Sequence, residues 1–359
     1  MKKSLRKMKK VLYISSIEVP YRTEFFNGLS KNCDLTVLYE RKKSSNRDAA
    51  WAKSEDATYA IEYLDGINIK NEHSISIRIF KYIFSAYDCI IVGCYNSPVQ
   101  MMAILVMKLL RKPYILNTDG EQFVNLNTWK GRVKAFFLRG ASKYLAAGEK
   151  SADSLHKVVG DKEIIPYYFS SLSQKEIEEH AKLGMSTERE EYVLVIGQYF
   201  DYKGLDVVVK TASMDTSIKY KFVGMGNRTE LFKQETGAGK LPNVEIIPFL
   251  QKKDLEQEYL KCAAMVLPSR QECWGLVVNE AASFGTPVVS TSGSGAAVEF
   301  LADEYPQFIS EVDDAEALLD RIKLCLFAGG LEKYSEFMID KTRKYYIEKN
   351  VEIITSVLM

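Results

Sequence analysis

The sequence predicts an α/β protein made of two successive doubly wound domains, each a parallel sheet covered by helices. Three observations carry that expectation. Short β-branched or aromatic runs alternate with longer amphipathic stretches. The alternation breaks off in a polar segment from Ser170 to Glu191 and then starts again. A length of 359 residues exceeds one typical domain without reaching three.

In the first series the strand-like runs are Val11–Ser15, Leu35–Tyr39, Cys89–Cys94, Tyr114–Asn117 and Tyr144–Ala147. Such near-continuous apolar sequence suits parallel strands buried on both faces. Between them Tyr21–Ser30, Ile75–Ala86, Val99–Leu110, Gly131–Arg139 and Lys150–Val158 repeat their apolar residues at helical intervals. A run at Ile164–Phe169 closes this domain, set at 1–170. Ser, Glu and Lys dominate 171–191, which reads as a helical or flexible linker. The second domain, 192–335, reads strand Tyr192–Gly197, helix Leu205–Ala212, strands Tyr220–Val223 and Val244–Ile247, helix Asp254–Cys262, strand Met265–Leu267, helix Leu276–Phe284 and strand Val288–Ser290. No strand pattern remains from Leu331 to Met359, and a terminal helix is expected over 336–359.

Composition removes several function classes. A net charge of +1 offers no basic excess for a phosphate backbone, so no nucleic-acid partner is expected. The six cysteines form no Cys-x-x-Cys pair and no histidine stands at ligand spacing from them, so the chain is read as cytoplasmic and without a zinc site. The basic start, Met1–Lys10, is followed by too short an apolar run for a signal peptide. The longest apolar run, Met101–Met107, ends at Lys108, far short of the ~20 residues that cross a bilayer. His73, His156 and His180 fall on expected surface helices or loops and are read as non-catalytic.

The segment from Pro268 to Val289 carries the most chemistry, because its local grammar sets strand, loop, helix and strand in turn. Pro268-Ser269 ends the run Met265–Leu267, which leaves Glu272 in the loop beyond a strand's C-terminal end, where ligands bind in open α/β sheets. Gly275 opens a helix whose first amides lack intrahelical partners and attract anions. Gly285 stands where a helix C-terminus favours a left-handed residue, and Pro287 cannot continue the helix. Glu272 and Glu280 lie eight positions apart, about 12 Å if all were helical at ~1.5 Å per residue. Two acceptor-only carboxylates suit two sets of hydroxyls.

A glutamate before a Trp-Gly helix start, followed by a second glutamate, closely resembles the signature of retaining glycosyltransferases, the glycosyl transferases group 1 or family 4-like class that includes capsular, exopolysaccharide and lipopolysaccharide sugar transferases. The resemblance spans the second domain. It implies the GT-B fold: two facing Rossmann-like domains with parallel sheets and a cleft between them, and a C-terminal helix, over 336–359, that packs back on the first domain. It also implies a nucleotide diphosphate sugar as donor, with UDP expected, and a hexose or N-acetylhexosamine transferred to a glycan or polyprenyl-diphosphate-linked acceptor.

In that family the first glutamate holds the donor sugar and the second the ribose, which assigns those roles to Glu272 and Glu280. Amides around Cys273, Trp274 and Gly275, with Leu276 opening the helix, would face the sugar and diphosphate. A second matching element is Gly197-Gln-Tyr-Phe-Asp-Tyr-Lys-Gly204. Family members carry a glycine, an arginine, and a lysine before a glycine, so Lys203 takes the lysine's phosphate role, whereas Gln198 replaces the arginine and some other donor must compensate. Val223-Gly-Met-Gly-Asn-Arg228 resembles the family's glycine turn and places Gly224 near the nucleotide.

The first domain departs further from the family, with no glycine-rich loop after its first strand and no histidine near the sugar. Asp119, in Asn117-Thr-Asp-Gly-Glu121, is the candidate for the histidine's catalytic place; an Asx turn or helix cap before Gly120 explains it equally well. Trp129-Lys-Gly-Arg-Val-Lys-Ala-Phe-Phe-Leu-Arg-Gly140 interleaves cations with aromatics. It fits either an anionic membrane surface, with peripheral binding at the inner face of the cell membrane, or an amphipathic helix whose aromatics pack on the sheet. No Asp-x-Asp motif follows a strand, so neither a metal nor another cofactor is expected, and Asp313-Asp314 is read as opening a helix. Two other activities stay open: a sugar-nucleotide 2-epimerase of the same fold, and a degenerate transferase acting as a partner subunit.

Overall fold

A computed structural model describes residues 8–42, 56–70, 73–118, 124–327 and 329–358. Asp119 therefore lies outside the described residues. The chain forms two compact units, one running to Tyr168 and completed by the residues from Ile347 onward, the other running from Phe169 to Tyr346.

The first unit contains β1 (Lys10–Ile17), α1 (Pro20–Ser30), β2 (Asp34–Arg41), β3 (Ala60–Tyr63), β4 (Ile67–Lys70), β5 (His73–Ile75), α2 (Ile79–Phe84), β6 (Cys89–Val92), α3 (Pro98–Leu109), β7 (Ile115–Thr118), α4 (Trp129–Leu138), β8 (Lys143–Ala147), α5 (Glu149–Val159) and β9 (Ile164–Tyr167). Seven strands form one sheet in the order β3-β2-β1-β6-β7-β8-β9, every neighbouring pair parallel. Val11 through Ser15 are all buried, as a central strand covered on both faces requires. Helices α2 to α5 share one core with that sheet, in which Ile83, Ile104, Leu138 and Leu155 meet Leu12, Val92 and Leu116.

The helix expected over Ile75–Ala86 is shorter than its apolar spacing suggested. Its first residue, Ile75, belongs instead to an antiparallel hairpin, β4 with β5, and 76–78 form the turn into α2; His73 starts the second strand of that hairpin rather than lying on a helix or loop.

The second unit contains α6 (Gln174–Ser186), β10 (Glu190–Ile196), α7 (Leu205–Met214), β11 (Tyr220–Val223), α8 (Thr229–Thr236), β12 (Val244–Ile247), α9 (Lys252–Lys261), β13 (Cys262–Leu267), α10 (Leu276–Ser283), β14 (Val288–Thr291), α11 (Gly295–Leu301), β15 (Ile309–Ser310), α12 (Ala315–Phe327) and α13 (Leu331–Thr342). Its sheet is also fully parallel, ordered β12-β11-β10-β13-β14-β15. Order therefore reverses between β10 and β13, which makes the carboxyl ends of those two strands the switch point where such sheets bind ligands.

The stretch 171–191, expected to link the domains, is part of the second unit. Ser173 and Glu176 form a capping box that starts α6. His180, expected on the surface, is buried there: its ring stacks on Phe284 at 4.0 Å between centroids and its Nδ1 lies 2.9 Å from Ser283 Oγ. The end of the chain is divided as well. Helix α13 stays in the second unit, while α14 (Ile347–Leu358) belongs to the first, where Val351 packs on Gly28 of α1 and Asn350 Nδ2 donates to the Tyr168 carbonyl at 2.6 Å.

Candidate active site

Lys203 and Glu272, 69 positions apart in sequence, are in direct contact: the Lys203 ammonium donates to Glu272 Oε2. The fold brings them together by ending β10 and β13 side by side and turning each chain sharply. After β10, Gly197 donates to the Val223 carbonyl at 3.0 Å and a 3₁₀ turn, Asp201–Lys203, follows. Gly204 closes the turn at φ +67°, and a Cβ there would stand 2.1 Å from the Pro268 carbonyl oxygen, so no other residue fits this crossing of the two loops. After β13, the amides of Arg270 and Gln271 both donate to the Tyr202 carbonyl, at 2.9 and 3.2 Å. Glu272 is then pinned from its other side, donating to Gly293 at 2.8 Å and accepting from Gly295 at 3.1 Å.

Only about a fifth of each side chain of the pair is open to solvent, 21% for Lys203 and 18% for Glu272. A charge held in that half-desolvated position interacts more strongly with an incoming anion than one on the open surface. Beside the pair, Gly275 adopts φ +102° and α10 begins at Leu276; the Val278 amide already donates to the Gly275 carbonyl at 2.9 Å, which leaves the amides of Leu276 and Val277 at the helix tip.

The other expected residues fall into three groups. Gly197 and Gly224 meet backbone to backbone, since a Cβ on Gly224 would lie 3.7 Å from the Gly197 amide nitrogen, while a Cβ on Gly197 would stand 3.8 Å from the Leu205 and Lys203 side chains. Gln198 is half-buried, and its carbonyl accepts from Phe200 at 2.9 Å. Cys273 is exposed in the Glu272 loop, and Leu276 is half-buried at the start of α10. Trp274 is buried: its indole Nε1 donates to Asn279 Oδ1 at 2.9 Å, and Asn279 Nδ2 in turn donates to the Phe169 carbonyl at 3.1 Å. Its ring thus anchors the helix start from below, while its peptide remains part of the loop.

Glu280 sits on the second turn of α10 and is held by the Tyr259 hydroxyl at 2.8 Å and the Ser171 hydroxyl at 3.0 Å. Burial raises its carboxyl pKa, against the pull of those two hydrogen bonds. The helical ruler applied to Glu272 and Glu280 fails, because α10 starts only at Leu276 and the intervening loop does not rise as a helix.

Sequence reasoning missed Arg270. Its guanidinium grips both Asp206 oxygens at 2.9 and 2.7 Å and Asp313 at 2.5 Å, tying α7 to the Glu272 loop and to the turn before α12. Those hydrogen bonds raise the arginine pKa, and the same arginine lowers that of Asp206. Asp313 is bound in that network at φ +63°, while Asp314 caps α12 by accepting from the Ala317 amide at 2.9 Å. No motif spacing marks Arg270; its partners are contributed by elements distant in sequence.

Residues 176–354 match the family profile described as glycosyl transferases group 1. The chain belongs to that family. Among relatives of this glycosyltransferase, an uncharacterized glycosyltransferase of Methanocaldococcus jannaschii is 23% identical over 73% of this chain and 75% of its own. A putative teichuronic acid biosynthesis glycosyltransferase of Bacillus subtilis is 26% identical over 66% of this chain and 61% of its own. Anabaena HepE, solved in complex with UDP-glucose, superposes with a TM-score of 0.67 at 15% identity, over 97% of this chain and 99% of that one. The transferase has the GT-B fold, with two parallel-sheet Rossmann-like domains. Among the described residues, no helix is long and apolar enough to cross a membrane.

Proposed function

We propose that this transferase moves a hexose or N-acetylhexosamine, with retention of configuration, from a UDP-sugar to a glycan or lipid-linked acceptor in surface polysaccharide synthesis, as a cytoplasmic enzyme working at the membrane. The observation that carries the reading is the meeting of Lys203 and Glu272 at the switch point of the second sheet, next to the amino end of α10. HepE with its UDP-glucose supports the donor class, and the Bacillus subtilis relative supports the polysaccharide setting.

Departure of the nucleoside diphosphate leaves negative charge on its phosphate, and a site accelerates the step by holding that charge more strongly in the transition state than in the bound donor. Lys203 and the first amides of α10 are placed for that work. Phosphate oxygens compete with Glu272 for the Lys203 ammonium, which releases the Glu272 carboxylate toward donor-sugar hydroxyls. Glu280, already bound by two hydroxyl donors, suits the ribose, and Gly197 and Gly224 leave room for the nucleotide. No metal takes part in this scheme, so activity is expected to survive EDTA.

The test is release of UDP from UDP-sugars with and without a lipid-linked glycan acceptor, followed by NMR of the product's anomeric configuration. Acceptor-dependent UDP release with retention supports the reading. Release without acceptor, together with a C2-epimerised sugar, would replace it with an epimerase, and no turnover of any nucleotide sugar would leave a degenerate partner subunit.

A further inference from the structure

Between Gly197 and Lys203 the chain places the aromatics Tyr199, Phe200 and Tyr202. Core packing does not account for them, since Tyr199 and Phe200 are only half-buried and Tyr202 is 45% exposed. Their rings are nevertheless ordered. Phe200 and Tyr202 stack with centroids 5.5 Å apart and planes 12° from parallel, and the Lys203 ammonium lies 5.8 Å from the Tyr202 centroid. The Arg228 guanidinium, from the turn between β11 and α8, lies 4.0 Å from the Phe200 centroid. Guanidinium, ring, ring and ammonium thus form a chain of contacts that runs from that turn to Lys203.

Arg228 grips the same loop a second time, its Nη1 donating to the Tyr199 carbonyl at 3.1 Å. Tyr199 is held by α8 as well: its hydroxyl donates to Glu235 at 2.7 Å and its ring meets Phe232 edge-on at 5.2 Å. A guanidinium can lie flat on a ring and donate in its own plane at the same time, a combination that suits arginine and not lysine. Among the described residues Arg228 makes no ion pair with a carboxylate, so its contacts are with the loop rather than with an acid. Gln198 stands where a second cation is expected beside the diphosphate, and Arg228 reaches that loop from the neighbouring strand end.

We propose that Arg228 is a positioning residue for sugar transfer: through Phe200 and Tyr202 it fixes the 198–203 loop so that the Lys203 ammonium stays beside Glu272 and the tip of α10. It offsets the missing arginine at 198 by geometry, and not as a second charge on the phosphate. Rate is sensitive to such placement, because a reacting group displaced by a fraction of its contact distance no longer meets the charge that develops. The inference rests on the proposed role of Lys203 in holding the leaving phosphate, and two measurements keep the two apart.

The first needs no substrate. The full chain is pulsed with acetic anhydride, and acetylation of each lysine is followed by peptide mass spectrometry. In Arg228→Ala, Lys203 should be acetylated about fivefold faster than in the wild type. Lys221, as sheltered at 18% exposure and likewise paired with a glutamate, should keep its rate, since only a general loosening of the fold would open both. The second is a double-mutant cycle on kcat for acceptor-dependent UDP release. Arg228→Ala should lower kcat roughly ten- to a hundredfold in the wild-type background, and by less than about twofold when Lys203 is already alanine. Phe200→Leu, which removes a ring and no charge, should reproduce both effects. An unchanged Lys203 acetylation rate, an equally large loss on the Lys203→Ala background, or wild-type kcat in Phe200→Leu would each overturn the inference. A fully active Lys203→Ala would instead remove the phosphate role of Lys203, and the acetylation rates would still decide whether Arg228 positions it.

Discussion

Lys203 and Glu272 satisfy one another, and that pairing sets what each substitution should do. Removing one well-placed donor to a developing anion typically costs roughly 10²- to 10³-fold in rate. Lys203→Ala is therefore expected to lower kcat on that scale while the protein stays folded, because the lysine is partly open to solvent; a loss under tenfold in steady-state assays would remove its phosphate role. His180 makes a prediction of a different kind. Ser283 Oγ donates to the Glu280 carbonyl at 2.7 Å, so it accepts from His180, which places the hydrogen on Nδ1 and leaves Nε2 without that partner. Burial lowers the histidine pKa to about 4 from 6.5. The unfolded chain thus binds the proton first, and stability is lost as pH falls from about 6.5 to about 4, by up to roughly 3 kcal/mol. Urea midpoints across that range should fall in the wild type and flatten in His180→Gln; equal slopes would refute the assignment.

At the scale of elements, the site depends on three loops held together where β10, β13 and β14 end. Gly204 is the tightest point. A side chain there meets both the left-handed penalty of about 1–2 kcal/mol and the Pro268 carbonyl, which is backbone and cannot step aside cheaply. Gly204→Ala should lower stability by at least about 2 kcal/mol in denaturant unfolding and reduce donor binding with it. Unchanged stability would mean that the loops separate more easily than their hydrogen bonds imply. Much of this level was legible beforehand. Gly285 takes the left-handed turn its position after a helix implies, at φ +64°. Lys203 and Glu272 were each visible because strand end, turn glycine and helix start are signalled within a few neighbouring residues. Arg270 and the burial of His180 were not, because their surroundings come from α7, α10 and the turn before α12, none of them near in sequence. The β4–β5 hairpin was missed for a related reason: apolar residues at Ile75, Ile79 and Ile83 match a helical spacing, and strand pairing with Ile67 decided the first of them.

At the scale of the whole molecule, each unit closes its own core, but the first borrows its last helix from the end of the chain. Ile347, Ile354 and Leu358 are buried, and burial of such side chains contributes about 1.5–3 kcal/mol each. That sum is comparable to a domain's entire stability. A chain ending at Tyr346 should therefore lose the thermal transition of the first unit while residues 169–346 keep theirs, and limited proteolysis should leave that second unit as the resistant fragment. Two intact transitions in calorimetry would show α14 to be dispensable.

The sequence by itself determined the two-domain α/β class, the parallel alternation and the family, and it singled out Lys203 and Glu272 as candidates, since periodicity, turn glycines and short motifs act over a few neighbouring positions. Only the tertiary structure decided that these two side chains touch, that α13 and α14 belong to different units, and that Trp274 and His180 face inward. Those outcomes depend on which distant segments become neighbours, and burial, pairing and pKa follow from neighbours rather than from the order of residues along the chain.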